Sequence, residues 1–186
     1  MYEGMEAQTR MAEHREGDVL ASAAAGDEFA FRRIVAEHHD DMRRVCQAIA
    51  DDRSIAEEAT QSAWVIAWKR LRDVKDTGHL RPWLVTVAAN ETKQLLRKRR
   101  RRAEIEVAAN ASGQPGGNDP AADVADIDVR DALARLDPDD RALLALRYVA
   151  GFDSNELARA IGISPSGTRN RLERLLRRVR EELDHG

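Results

Sequence analysis

The chain has 186 residues, 34% of them charged and only 4% aromatic, and carries a formal net charge of −3. That length allows one or two domains, and the single cysteine, Cys46, excludes an internal disulfide and a cysteine-based zinc site. No apolar run approaches the ~18 residues that cross a membrane, and the acidic, polar start "MYEGMEAQTRMAEHREGD" is wrong for a secretory signal, so the expected location is the cytoplasm.

In chain order, residues 1–26 form an acidic tail of net charge −3. A basic block of net +5 follows over residues 27–102. Its first helix is read from Phe31, Ile34, Val35, Met42, Val45 and Ile49, whose spacing is mostly helical. Cys46 lies in this run and reads as a reduced core residue. A second helix begins near "DDRSIAEEATQSAWVIAWKRL", capped by Asp52 or Ser54, with Glu57 and Glu58 favourable in its first turn. "VKDTGH" breaks the pattern at Gly78. A third helix, "LRPWLVTVAANETKQLLRKRRRR", tolerates Pro82 in its first turn and ends in six consecutive cations, Arg97 to Arg102. Residues 103–127 carry net −5, and "AANASGQPGGNDPAADVAD" has too little apolar surface to fold alone, so it reads as a flexible acidic linker. The segregation of a basic block from an acidic connector points to a polyanionic partner.

The remainder, residues 128–186, is closely punctuated. Asp137 is an N-cap, Pro138 suits the first helical position, Asp139 and Asp140 complement the helix dipole, and Gly151 ends the helix. Asp153 with Glu156 forms a capping-box pattern, and Gly162 makes a turn. Ser164 and Pro165 open a last helix with an apolar stripe of Leu172, Leu175, Leu176, Val179 and Leu183. A capped helix, a glycine turn and a longer basic helix make a helix-turn-helix, with Ala158, Ile161 and Leu172 packing between its helices. The second helix is expected to expose Thr168, Arg169, Asn170, Arg171 and Arg174 to a major groove, where Arg suits guanine and Asn suits adenine. Arg177, Arg178 and Arg180 fall nearer phosphates or solvent. The expected fold is all-α: two small helical domains, 27–106 and 128–186, joined by a linker over 107–127.

Two segments carry a family resemblance. "LARLDPDDRALLALRYVAGFDSNELARAIGISPSGTRNRLERLLRRVREEL" resembles the C-terminal promoter-binding domain of sigma-70 family factors. "AEEATQSAWVIAWKRL" with "LRPWLVTVAANETKQLLRKRRRR" resembles their core-binding and −10-reading domain. Two domains and a linker with nothing else is the pattern of the extracytoplasmic-function (ECF) group. The resemblance implies a subunit that binds core RNA polymerase, recognises the −10 and −35 elements of promoter DNA, and is held by an anti-sigma protein when free. By position it implies polymerase contacts at Glu58, Gln61 and Trp64. It implies −10 contacts at His79, Arg81, Asn90, Lys93 and Arg97. It implies −35 contacts at Ser166, Thr168, Arg169, Asn170, Arg171, Arg174 and Arg178. Arg99 to Arg102 would add sequence-independent attraction to phosphate or touch polymerase. Trp68 reads as core packing; Trp83 reads as core, or as a wall of the pocket that receives a flipped base. The chain departs from the family pattern at Ser62, Ala89, Gln94, Ser166 and Gly167. The acidic tail has no family counterpart.

"HHDD" (His38 to Asp41) gives only two ligands on one helical face, too few for a zinc site. No phosphate loop, nucleophile elbow or HExxH is present, so neither enzyme activity nor a cofactor is expected. The alternative reading is a stand-alone helix-turn-helix regulator that binds an operator without polymerase.

Overall fold

The computed structural model describes residues 17–74, 77–109 and 132–184, and every regular element among them is helical. Helix α1 covers residues 17–24, followed by α2 (Glu28–Ala50), α3 (Arg53–Arg70), and two single 3-10 turns at Leu71–Asp73 and Thr77–His79. Helix α4 (Leu80–Ala109) closes the N-terminal half. The C-terminal half holds a short α5 (residues 132–135), α6 (Pro138–Leu144), α7 (Ser154–Ile161) and α8 (Pro165–Asp184).

The helix starts follow from local chemistry. The Asp27 carboxylate accepts from the amides of Phe29 and Ala30 at 2.8 and 3.2 Å, and Asp52, not Ser54, caps α3 by accepting from Ile55 at 3.0 Å. Asp137 accepts from Asp139 and Asp140 at 2.8 and 3.0 Å. Asp153 and Glu156 form the full capping box. Each satisfies amides that have no carbonyl partner within the helix. Gly162, at φ +73°, ends α7 in the left-handed conformation that a side chain disfavours. Helix α6 continues into a π turn, Ala145–Val149, before Gly151 at φ +76°.

Helices α2, α3 and α4 form a three-helix unit whose centre holds Met42, Cys46, Leu71, Leu84 and Ala88. The buried face of α3 is built from Ala56, Ala59, Ala63 and Ala67 with Thr60, so its backbone lies close to its neighbours. Thr60 and Thr92 are buried with their hydroxyls donating to the carbonyls of Ala56 and Ala88, four residues back. The Cys46 thiol donates to Ala88 at 3.7 Å, and burial pushes its pKa up, as fits a core residue.

Two features of the structure were not legible in the sequence. The N-terminal segment 1–26 is helical at 17–24, and its Leu20 and Ala23 are buried in the first core. The two halves also pack against one another. Val45, Ile49, Val85 and Ala89 from the N-terminal half share one core with Leu143, Leu146 and Phe152 from the C-terminal half. Helix α4 therefore buries two faces, one inward on α2 and α3 and one toward α6. It also runs to Ala109, past the expected boundary at 106; residues 110–127 of the expected linker lie outside the described residues.

Candidate nucleic-acid interface

Helices α7 and α8 cross around Leu157, Ala158, Leu172 and Leu175, with Ile161 partly buried beside them. The Ser164 side chain caps α8 by accepting from Gly167 at 3.1 Å. Ser166, Arg169, Asn170 and Arg174 project from the first half of α8 into solvent. Asn170 and Arg174 line a shallow open recess with Glu173 and Arg177. Thr168 differs from expectation. It is 1% exposed and donates its hydroxyl to the Ser164 carbonyl at 3.0 Å, so it packs inward. Arg171 is half-buried and donates twice to one oxygen of Asp140, at 2.8 and 3.3 Å, while Arg178 donates to the other at 3.3 Å. Asp140 is a buried carboxylate that holds two turns of α8 on the first turn of α6.

On the N-terminal half, Asn90, Lys93 and Arg97 recur at three- and four-residue steps, which places them on one face of α4. That face meets α6. Lys93 Nζ lies 3.3 Å from Asp139 Oδ1, and the Arg97 guanidinium donates to Asp139 Oδ2. Burial raises the Asp139 pKa, but the hydrogen bond from Arg97 and the charge of Lys93 outweigh it and hold the carboxyl below its ordinary value of 3.8. His79 is exposed at the end of the second 3-10 turn. Arg81, at the start of α4, donates to Asp41 at 2.6 Å and to the Ala150 carbonyl at 3.2 Å. Asp41 also pairs with Arg44, and these two guanidiniums more than offset the effect of its burial, so its pKa too is lowered. A cleft of about 410 Å³ beside this turn is lined by Arg33, Glu37, His38, Thr77 and Arg81, and by Glu156 of α7. In the basic run, Arg99 reaches Asp52 at 3.3 Å and Arg100 reaches Glu104 at 3.0 Å, while Lys98, Arg101 and Arg102 are exposed.

Helix α3 carries a third surface. Glu58, Gln61, Val65 and Trp68 fall on one exposed face. Trp64 is half-buried, its indole N–H donating to His39 Nδ1 at 3.2 Å and its ring meeting Phe31 edge-on at 5.7 Å. Trp68, read as core packing from the sequence, is 39% exposed with Phe31 beneath it at 4.8 Å. Val65 is 54% exposed. Large apolar side chains in a helix read as core, so sequence alone does not reveal the exposure of Val65 and Trp68; the alanines on the opposite face are the signal. Trp83 is half-buried against the N-terminal core. Among the described residues no group of three or more His, Cys, Asp or Glu is placed to hold a metal ion, and no helix is long and apolar enough to cross a membrane.

Comparison with known proteins covers both halves. Residues 34–102 match the family model of sigma-70 region 2, and residues 126–179 match that of sigma-70 region 4. The chain is 30% identical over 171 residues to a probable RNA polymerase sigma factor, RfaY, of Xanthomonas campestris; the match takes in 88% of this chain and 43% of that protein. It is 28% identical over 165 residues to the ECF RNA polymerase sigma factor SigL of Mycobacterium tuberculosis, covering 87% of this chain and 93% of that one. The solved structure of CnrH, of Cupriavidus metallidurans, in complex with the cytosolic domain of CnrY superposes with a TM-score of 0.64 at 25% identity, covering 90% of this chain and 96% of that one.

Proposed function

The chain belongs to the sigma-70 family of RNA polymerase sigma factors, in the ECF group that acts in transcription initiation, and from that premise we propose how it divides the work. The N-terminal half docks on core RNA polymerase through the α3 face of Glu58, Gln61, Val65 and Trp68, with Trp64 behind it. An exposed aromatic and aliphatic patch edged by polar groups is the composition of a protein-binding surface. His79 and Arg81, with the adjoining cleft, receive an unstacked base of the −10 element. Asn90, Lys93 and Arg97 follow the non-template strand, and Arg99 to Arg102 add attraction to phosphate. The C-terminal half reads the −35 duplex with Arg169, Asn170 and Arg174, while Ser166 and Arg178 lie at the flanks toward phosphate. Thr168 and Arg171 support this helix from within. The factor is non-enzymatic and acts in the cytoplasm, where polymerase and promoter are found. CnrH is solved in a complex with the cytosolic domain of CnrY, and we extend to this chain a comparable protein partner that holds it when free.

The observation that carries this reading is the pairing, in one chain, of the Asn90–Lys93–Arg97 stripe with a helix-turn-helix whose exposed face is Arg169, Asn170 and Arg174. Run-off transcription tests it. Purified chain added to core RNA polymerase is expected to start a discrete transcript from the region upstream of its own gene. Operator binding by the chain alone, with no polymerase-dependent start, would mark it instead as a stand-alone regulator.

A further inference from the structure

Phe29, in the first turn of α2, holds its ring in water. It is 76% exposed, more than any other large apolar residue among those described. Phe31, two positions on, meets Trp64 and Trp68 edge-on, and residues two apart lie on nearly opposite sides of a helix, so Phe29 has no part in the α3 docking face. The Arg32 guanidinium lies 5.5 Å from the Phe29 ring centre and pairs with Glu28 at 3.8 Å. The ring thus has a cation on one face and water on the other. Phe29 and Arg33 wall an open recess of about 490 Å³ between α1 and α2, with Asp18, Val19, Ser22 and Asp27. Val19 and Arg33 also line the cleft beside Thr77 and Arg81, so recess and cleft are continuous. Phe29, Arg33 and Glu37 follow one another at four-residue steps on a single face of α2, and Glu37 lies in the cleft. Two such steps rise about 12 Å, roughly three or four nucleotides at the stacked spacing.

Resting on the function proposed above, we propose that Phe29 is a stacking platform for one unpaired base of the non-template strand, a few nucleotides downstream of the base held in the cleft. Upstream of the −10 element the promoter is duplex and its bases are stacked within it. Only the melted, downstream side offers bare base faces to a ring. An aromatic ring accepts any base, because every base has a π face, and a guanidinium beside it adds a cation–π contribution. The surrounding charges set the orientation. The Asp27 carboxylate is turned onto the amides of Phe29 and Ala30, and Asp18 is exposed on the α1 wall of the recess. Both repel phosphate, so the strand's backbone passes on the Arg33 side and the base turns in toward Phe29.

The test uses the full chain assembled with core polymerase on a promoter fragment left unpaired from the −10 element to the start site. The non-template strand carries 2-aminopurine at one downstream position at a time, and its emission falls when it stacks. With wild type, one downstream position is expected to be quenched. Phe29→Ala is expected to restore that emission and to shorten the lifetime of the complex against competitor DNA about fivefold or more, as for removal of one aromatic–base stack. Phe29→Gln, which keeps the length of the side chain but no ring, is expected to lose as much, and Phe29→Tyr to match wild type on both measures. Association of labelled Phe29→Ala with core polymerase alone, read by anisotropy, is expected to stay within about twofold of wild type, as for an exposed side chain outside the docking face. The platform is overturned if Phe29→Ala and Phe29→Gln leave the quenching in place. It is also overturned if they weaken association with polymerase as much as they shorten the complex, since Phe29 is then a protein contact. A circular-dichroism melt of each variant separates loss of fold from loss of stacking. Run-off transcription by wild type is scored in parallel. If it initiates and no downstream position is quenched, the platform fails alone; if it does not initiate, the sigma assignment falls and the platform with it.

Discussion

Thr168 and Arg171 stand one turn apart on α8, and both look like base-reading residues when only spacing is considered. Thr168 is instead turned inward onto the Ser164 carbonyl, and Arg171 is spent on Asp140. The proposed base-reading face is narrower as a result, and a rotation of one position along the helix separates Asn170 in solvent from Arg171 in the interface. The two groups should respond differently to substitution. Arg169→Ala and Asn170→Ala are expected to relax the −35 preference by about 1–3 kcal/mol at one base pair each, read from transcription on a template library randomised at that element. Asp140→Asn is expected to leave the preference in place and to lower the urea-unfolding free energy by about 2 kcal/mol, since it weakens hydrogen bonds to two guanidiniums. Titration follows from Asp139 and Asp41, both depressed in the folded chain. A depressed carboxyl binds fewer protons folded than unfolded, so its contribution is complete above the ordinary carboxylate pKa of about 4 and is lost as pH falls through the lower folded value. Stability should therefore decline as pH falls below about 4, and Asp139→Asn should show a smaller decline than wild type in urea melts taken across that acid range.

Helix α3 shows most directly why some elements are legible in sequence and others are not. Its start was readable because a cap is local: Asp52 needs only the amide three residues on. Its orientation was not, because the face that packs is Ala56, Ala59, Ala63 and Ala67, while Val65 and Trp68 point to solvent. Hydrophobicity alone inverts that helix; only the i, i+4 recurrence of small residues indicates close approach. Helix α4 is obscure for another reason, since it buries Leu84 and Ala88 on one side and Val85 and Ala89 on another, which leaves no single apolar stripe. In contrast, α7 with its capping box and glycine end was readable in full. Opposite outcomes are expected on the two faces of α3. Ala63→Leu overfills a site with no exposed surface and should cost about 1–3 kcal/mol, visible as a lowered melting temperature. Trp68→Ala should cost less stability while weakening association with core polymerase, measured by fluorescence anisotropy of the labelled factor; unchanged association would remove Trp68 from the proposed docking face.

At the scale of the whole chain, the sequence reads as two helical blocks and does not show that they share a core. Nothing local encodes it: Ile49 and Val85 are separated from Leu143 and Phe152 by more than fifty residues of intervening chain, and each looks like part of its own block's core. Coupling between the halves can be read without labels, because Trp64, Trp68 and Trp83, the three tryptophans of the chain, all lie in the N-terminal half. Tryptophan fluorescence therefore follows that half alone. Phe152 lies in the other half and is 1% exposed in the shared core. Phe152→Ala should remove about 3–5 kcal/mol from the transition it takes part in. With a urea dependence of about 1–3 kcal/mol per molar, the midpoint moves down by about 1 M or more. If the halves fold as one body, the tryptophan signal must move by that amount, although no tryptophan is near the substitution in sequence. If they fold independently, the tryptophan midpoint stays where it was and only the C-terminal share of the helical signal shifts. The first outcome is the one the shared core requires.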